Sequence, residues 1–272
     1  MLVKKSFSLA IEAAVLAGRV IMDVYDTAFD VVMKADTSPL TLADQKANDI
    51  IMSFLEKTQI PIISEENEQL DYEVRKQWKQ CWIVDPLDGT KEFINRNGDF
   101  TVNIALIEDG NPVWGVIYIP VTRTLYVGDV KNQYAVKLEV ESIDSLLEDL
   151  ETKAEVLAFA QASPEKDRIR VVGSKSHMND ETLSYIQSLE ATGKSVEMLS
   201  RGSSLKFCLL AEDKADVYPR FAPTMEWDTA AGQAICEAVG CEVIDLATGT
   251  SMMYNRKNML NGHFLVRRAN AC

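Results

Sequence analysis

Trp82-Ile83-Val84-Asp85-Pro86-Leu87-Asp88-Gly89-Thr90 is an apolar run that ends in two aspartates, a glycine and a threonine. Proline fixes φ and has no N–H, so Pro86 keeps the backbone extended where the strand ends. The carboxylates of Asp85 and Asp88 then converge, with the Leu87 carbonyl between them as a third oxygen. Hard oxygen donors of this kind suit Mg²⁺, which takes few protein carboxylates and completes its octahedron with water and phosphate oxygens. Gly89 and Thr90 lead into an expected helix over 91–95, whose free N–H groups and dipole attract an anion. For either aspartate alone the alternative is an Asx-turn that only caps the chain reversal. The nine residues together favour a metal site that feeds a phosphate site.

On the N-terminal side, residues 6–22 form an apolar stretch interrupted by Glu12 and Arg19, with no small-residue cleavage site after it. It reads as an amphipathic helix rather than a signal peptide, with Phe7, Ile11, Ala14, Val15, Gly18, Ile21, Met22 and Tyr25 on one face. A second helix is expected over 42–55, with Ala43, Ala47, Ile50, Ile51, Phe54 and Leu55 inward. Thr41 is its N-cap and Asp44, three residues on, fits a capping box. Residues 60–64 read as a strand that ends in Glu65-Glu66. If that strand neighbours 82–85, Glu65 emerges on the same edge as Asp85; taken alone, it is a solvated acid in an acidic run.

On the C-terminal side the texture turns to β, with strands expected over 101–107, 113–119, 125–127 and 134–138 separated by turn signals such as Asp109-Gly110-Asn111-Pro112. That pattern is an antiparallel meander. Residues 139–167, acidic and then irregular, read as the connection between a first lobe, 1–150, and a second, 151–272. Strands over 169–172, 196–199, 215–218, 242–245 and 264–267 alternate with helices over 180–189, 204–211 and 228–239, which argues an α/β lobe. Asp228 opens the last helix in Thr224-Met225-Glu226-Trp227-Asp228-Thr229-Ala230-Ala231-Gly232. An aspartate there commonly caps the helix, yet the small residues after it let the helix start approach another backbone closely.

The chain has 272 residues, 47% of them apolar, and a formal net charge of −13. That charge repels nucleic acid polymers and anionic membrane surfaces, while a small anion remains compatible with one cleft of reversed potential. Five cysteines, Cys81, Cys208, Cys236, Cys241 and Cys272, form no CxxC pair and are odd in number, so reduced thiols scattered in apolar settings are the simplest account. With only His177 and His263 to join them, a zinc site is not expected. No run of apolar sequence is long enough to span a bilayer.

Ser64-Glu65-Glu66, Asp85-Pro86-Leu87-Asp88-Gly89-Thr90 and Trp227-Asp228-Thr229-Ala230-Ala231-Gly232, in this order and spacing, resemble the inositol monophosphatase superfamily of lithium-sensitive, Mg²⁺-dependent phosphatases. The segments Lys34-Ala35-Asp36-Thr37-Ser38-Pro39-Leu40-Thr41-Leu42-Ala43-Asp44, Gly173-Ser174-Lys175-Ser176-His177, Gly202-Ser203-Ser204-Leu205-Lys206-Phe207 and Tyr218-Pro219-Arg220-Phe221 are similar to its 3'(2'),5'-bisphosphate nucleotidase branch. Members of that branch convert adenosine 3',5'-bisphosphate (PAP) to AMP in sulfur assimilation. The resemblance implies a layered α-β-α-β-α sandwich of two lobes, α+β and α/β in character. It further implies two or more Mg²⁺ ions, inhibition by Li⁺, and a cytoplasmic monomer or homodimer, free or peripheral on the inner face of the membrane.

By the same resemblance, Glu65, Asp85, Asp88, Asp228 and the Leu87 carbonyl match metal ligands. Thr90 and Asp44 match a hydrogen-bonded pair beside the attacking water, and Asp44 as a plain helix cap stays open. Gly89 and Thr90 match the phosphate cradle. Ser174, His177, Ser203, Lys206 and Arg220 match contacts to the nucleotide and its second phosphate, against readings as helix-start serines, a surface histidine and a solvated lysine. A guanidinium at Arg220 forks onto phosphate oxygens with two hydrogen bonds. The implied chemistry is in-line hydrolysis without a covalent intermediate, on PAP or its sulfated precursor PAPS. Inositol monophosphate or fructose 1,6-bisphosphate as substrate, and a sensor that binds nucleotide or Mg²⁺ with little turnover, are the competing functions.

Overall fold

Residues 81–84 are buried on both faces of their strand, so this strand has to lie inside a sheet that is covered on two sides. The computed structural model describes residues 4–27, 31–33, 39–159, 167–173 and 179–268, with backbone only for 31–33, 39 and 40. Among them, strand β4 (Gln80–Asp88) lies between β3 (Ile62–Ser64), which it pairs in parallel, and β5 (Thr101–Glu108), which is antiparallel. The sheet continues through β6 (Asn111–Ile119), β7 (Thr124–Asp129), β8 (Tyr134–Glu139) and β9 (Glu155–Val156) in simple sequence order. The expected meander is β5 to β8, and β4 joins it as a further antiparallel neighbour of β5.

A second sheet has the order β11-β10-β12-β17-β14-β15, built from β10 (Arg168–Gly173), β11 (Ser195–Ser200), β12 (Val217–Arg220), β14 (Cys241–Asp245), β15 (Thr250–Ser251) and β17 (Phe264–Arg268). Only β10 with β11 and with β12 is parallel; β17 returns antiparallel between β12 and β14. The α/β reading of the second half therefore meets a mixed sheet, because the chain re-enters after the last helix through hairpin-like returns. Two ribbons complete the strands, β1 (Val31–Met33) with β2 (Pro39–Thr41) and β13 (Thr224–Met225) with β16 (Leu260–Asn261).

The helices fill the spaces between and outside the sheets. Helices α1 (Lys5–Tyr25) and α2 (Leu42–Leu55) pair and cover one face of the first sheet, burying Phe7, Ile11, Val15 and Ile21 with Trp82, Trp114 and Val116. Between the sheets lie α7 (Leu205–Ala211) and α8 (Glu226–Ala238), where Phe207, Ala231 and Ile235 meet Ile83, Ile117, Tyr218 and Val266. Helix α6 (Asp180–Glu190) covers the far face of the second sheet over Val171, Val217 and Leu265. The layers run α-β-α-β-α. Short helices α3 (Tyr72–Arg75), α4 (Thr90–Ile94) and α5 (Leu146–Thr152) sit in connections. No helix among the described residues is long and apolar enough to cross a membrane.

Helix α8 lies against the first sheet at backbone distance. A Cβ on Gly115 would stand 2.8 Å from the Ala231 carbonyl, and one on Gly128 2.7 Å from the Ile235 Cα, closer than real Cβ atoms approach. That contact carries Asp228 toward the end of β4.

Several boundaries differ from the sequence expectation. The strand expected from 60 begins at Ile62; Pro61 has no N–H to give to the ladder, although its carbonyl accepts from Trp82 N at 2.8 Å. The expected helix over 91–95 starts at Thr90. The stretch 139–167 is not a bare connection, since α5 and β9 lie in it and β9 pairs with β8. The strand expected over 215–218 lies two residues later, at Val217–Arg220. Helix α8 starts two residues before Asp228, because the Asp228 carboxylate accepts from Met225 N at 2.8 Å and makes itself the third helical residue of a reciprocal cap. The four described cysteines are buried free thiols, and Cys236 Sγ donates to the Phe207 carbonyl at 3.4 Å. Cys272 lies outside the described residues.

Candidate metal and phosphate site

Asp85, Asp88 and Asp228 each offer a carboxylate oxygen within 4.8 Å of the others. Three local devices bring them there. A register shift between Asp85 and Asp88 swells β4 where Pro86 cannot join the ladder. Leu87 N donates to Asp85 Oδ1 at 3.0 Å, so the Asx-turn weighed against a metal site exists and serves to aim Asp85. The reciprocal cap of α8 turns Asp228 inward. Each of the three carboxylates keeps one oxygen on a protein donor: Asp85 on Leu87 N, Asp88 Oδ2 on Ser203 Oγ at 2.6 Å and Asn103 Nδ2 at 3.3 Å, and Asp228 on Met225 N.

Their other oxygens have no hydrogen-bond donor among the described residues. Asp85 is held well above the usual carboxylate range by burial first, and then by the charges of Glu65, Asp88 and Asp228. Asp228 is pushed up to about 8 by burial and by Asp88 and Glu65, against the pull of Met225 N–H and Arg220. Converging carboxylate oxygens without donors, those of Asp85 and Asp228 raised by burial and by neighbouring charges, fit a hard divalent cation, which replaces the missing donors with charge.

Glu65 comes in from the neighbouring strand, as the parallel pairing of Ser64 with Val84 requires, and its N–H donates to Val84 O at 3.2 Å. It is close enough to raise both Asp85 and Asp228. Thr90 Oγ1 lies 3.1 Å from Asp44 Oδ1 and 3.3 Å from the Leu87 carbonyl. The other Asp44 oxygen accepts from Thr41 N at 2.7 Å and Thr41 Oγ1 at 2.6 Å. Asp44 is thus a helix cap and a Thr90 partner at once, one oxygen for each. Gly89 takes φ +95°, and a Cβ there would stand 3.0 Å from Asp99 O and 3.3 Å from Ser203 Cβ. Only glycine suits that backbone and that gap.

A cavity of about 120 Å³ opens beside these groups, lined in part by Asp88, Gly89, Ser203, Lys206, Arg220 and Asp228. Lys206 is no solvated lysine. It is 5% exposed, its Nζ donates to Ser203 O at 2.5 Å, and it lies over the Tyr218 ring. Burial, aided by Arg220, pushes it down to about 8 against the pull of Asp88, Glu92 and Asp228. Arg220 donates from Nη2 to Pro223 O at 3.2 Å, and its buried Nε has no partner among the described residues.

A family model described as the inositol monophosphatase family matches residues 3–270. The chain belongs to the inositol monophosphatase family. Within it, the chain is 43% identical over 258 residues to the 3'(2'),5'-bisphosphate nucleotidase CysQ of Salmonella typhimurium, covering 92% of this chain and 94% of that one. The CysQ of Escherichia coli K12 is also 43% identical, over 259 residues, with the same coverage. The crystal structure of CysQ from Bacteroides thetaiotaomicron superposes with a TM-score of 0.82 at 45% identity over 96% of each chain. SuhB from Bartonella henselae, at 22% identity and a TM-score of 0.72 over 98% of this chain and 95% of its own, shares the fold. The α-β-α-β-α layering is that of inositol monophosphatase-like proteins.

Against this family frame, the structure brings together Glu65, Asp85, Leu87, Asp88, Gly89, Thr90, Asp44, Asp228, Ser203, Lys206 and Arg220. Ser174 and His177, with Lys34 to Ser38 of the first motif, lie outside the described residues. Ser203, expected at the nucleotide, has its hydroxyl on Asp88. Sequence reasoning missed Thr101 and Asn103, buried on β5, and the Ser204 hydroxyl. The available signal was two polar side chains at i and i+2 at the start of a strand that is apolar from Ile104 to Ile107, which puts both on one face.

Proposed function

We propose that this protein is a 3'(2'),5'-bisphosphate nucleotidase that hydrolyses the 3'-phosphate of PAP to AMP and phosphate, and acts on PAPS by the same attack. The observation that carries the reading is the pair of cations, Lys206 and Arg220, in one cavity with Asp88 and Asp228, the Arg220 Nε buried and without a partner among the described residues. A substrate with one phosphate at the carboxylates and a second on these cations satisfies both ends of the cavity. The 43–45% identity to CysQ proteins over nine-tenths of the chain supports the same substrate.

Glu65, Asp85, the Leu87 carbonyl, Asp88 and Asp228 are the groups that would hold Mg²⁺, two or more ions in all. Bound there, the ions supply Lewis-acid charge to the phosphoryl oxygens and lower the pKa of water. The chain's own residues do the positioning. Thr90 gives its proton to Asp44 Oδ1, so its oxygen is left to accept from the attacking water, and Glu65 is the carboxylate placed to take the proton. Gly89 keeps the backbone open for the phosphate, while Lys206 and Arg220, with Ser174, His177 and Ser203, hold the nucleotide end. Inhibition by Li⁺, a monomer or homodimer, a division into lobes near residue 150 and a place in the cytoplasm or on the inner membrane face belong to this proposal.

Initial rates of phosphate release from PAP, inositol 1-phosphate and fructose 1,6-bisphosphate, with Mg²⁺ and with added Li⁺, test it. PAP is expected to give the highest kcat/KM and Li⁺ to lower the rate. A higher kcat/KM for inositol 1-phosphate overturns the assignment.

A further inference from the structure

Strand β5 passes the metal loop in antiparallel register, with Asn103 opposite Asp85 and Thr101 opposite Asp88. Both residues are polar and both are buried, at 1% and 0% exposure. Buried polar groups have to find partners, and those of Asn103 come from two distant parts of the chain. Its Nδ2 donates to Asp88 Oδ2 at 3.3 Å and to Ser204 Oγ at 2.9 Å, while its Oδ1 accepts from Thr101 Oγ1 at 2.9 Å. Ser204 Oγ in turn donates to the Asp228 backbone carbonyl at 2.9 Å. One amide therefore ties the Asp88 carboxylate of the first half to the Asp228 segment of the second.

Proton counting orients the group. Ser203 Oγ sits 2.6 Å from Asp88 Oδ2 and 2.7 Å from Thr101 Oγ1. A carboxylate only accepts, so the Ser203 proton goes to Asp88 and the Thr101 proton is shared between Asn103 Oδ1 and Ser203. With its carbonyl end held by Thr101, the amide has to point both N–H bonds at Asp88 and Ser204. No aspartate, serine or leucine supplies two donors and an acceptor in that spread.

We propose that Asn103 is a positioning residue for the metal site: it holds the outer oxygen of Asp88 and the backbone of Asp228 in one frame, so that the donor-free oxygens of Asp85, Asp88 and Asp228 converge before a cation arrives. This rests on the reading of those three carboxylates as metal ligands. Hydrogen-bonding partners behind metal ligands typically carry roughly 10- to 100-fold in metal affinity.

Mn²⁺ binding to the full-length protein, followed by the EPR signal of free Mn²⁺, tests it directly and needs no turnover. Asn103→Leu keeps the volume and removes both donors; its Mn²⁺ dissociation constant is expected to rise roughly 10- to 100-fold, while KM for PAP at saturating metal stays within about threefold. Thr101→Val frees the amide to turn without touching Asp88, and a smaller rise, about three- to tenfold, is expected. Asn103→Ser, which keeps one donor, replaces the leucine variant if that one does not fold, with a rise between the two. Asp88→Asn serves as the ligand control. If wild type binds Mn²⁺, Asp88→Asn weakens it and the folded Asn103 variant binds within about twofold of wild type, the positioning role is overturned and the metal site stands. If wild type does not bind Mn²⁺, the metal site falls and the positioning role with it.

Discussion

Glu226 and Asp228 stand two residues apart in the first turn of α8, and both carry their carboxylates into the protein. Glu226 is fully buried and completely served: Oε1 accepts from Arg256 N at 3.0 Å and Arg256 Nε at 2.9 Å, and Oε2 accepts from Asn255 N at 2.7 Å. Burial raises its pKa, and the Arg256 charge and these donors pull it back. Asp228 has one backbone donor, no counter-charge in contact among the described residues, and the carboxylates of Asp88 and Glu65 nearby, so burial and those charges push it up to about 8. The contrast separates two uses of a buried acid. One is closed by the protein and fastens the 255–261 segment under the helix start. The other is left open toward a cavity, where a ligand has to complete it.

The sharpest way to break that contrast is to remove one group of each kind. Asp228→Asn is expected to lower kcat for PAP by about a thousandfold, about 4 kcal/mol of barrier, because a ligand is lost where charge develops. Its unfolding free energy without metal should not fall, since asparagine accepts from Met225 N as well and no longer repels Asp88. Arg256→Ala should do the opposite. Leaving Glu226 buried without its counter-charge costs about 3–5 kcal/mol of stability, with kcat per folded molecule within a few-fold of wild type. Urea unfolding and steady-state kinetics on both variants decide it. Were Asp228→Asn to unfold and Arg256→Ala to lose only turnover, the two roles would be exchanged.

What sequence reasoning could reach follows the same division. Asp85 to Thr90 were legible because the bulge, the turn, the proline and the helix start are contiguous, so spacing alone carries the geometry. Layering was legible from the resemblance, and the meander from its alternation and turn signals. Glu226 was passed over and Lys206 weighed as a solvated lysine because what decides them lies far away in sequence: Arg256 for the first, Tyr218 and the Ser203 carbonyl for the second. Asn103 was absorbed into the β texture for the same reason. Long-range partners leave no periodic trace. A charged or amide side chain inside an apolar element is the one sign available, and it says that a partner exists without saying which.

Asp44 sharpens the comparison because a single carboxylate is split between the two uses. Asparagine has one acceptor and one donor end. Its oxygen can take over the Thr41 N–H and hydroxyl, as an amide serves at the third helical position of a capping box, which turns its NH₂ toward Thr90. The Thr90 hydroxyl then receives a hydrogen bond where it used to give one, and its oxygen is no longer the acceptor left for water. Asp44→Asn is therefore expected to change unfolding stability by less than about 1 kcal/mol while lowering kcat about 100-fold, the lower end of general acid–base effects, with little change in KM. Thr90→Ala should fall in the same range, and the double variant should be scarcely worse than the poorer single one because the two act as a unit. A silent Asp44→Asn beside an inactive Thr90→Ala would leave Asp44 a cap alone.

The smallest effect is a pH slope that appears only when metal is removed. Asp228 and Asp85 both have folded-state pKa values above their unfolded ones, so the native state binds more protons than the unfolded chain between about pH 4 and pH 8. Stability then falls as pH rises through that window; what the protonated acids contribute is present below the unfolded value and is lost as pH passes the folded one, about 8 for Asp228. In EDTA, Tm of the wild type should drop from pH 5 to pH 8.5, and each kcal/mol lost corresponds to about 2–4 °C in a chain of this size. Glu226, raised as well, contributes to that drop in every variant, so the informative quantity is the difference from Asp228→Asn, whose curve should be the shallower of the two. Adding Mg²⁺ at pH 8 should lift the wild type and leave Asp228→Asn nearly where it was. Parallel curves in EDTA would mean that the open carboxylates are already compensated within the protein, and Asp228 would then be a closed acid of the Glu226 kind.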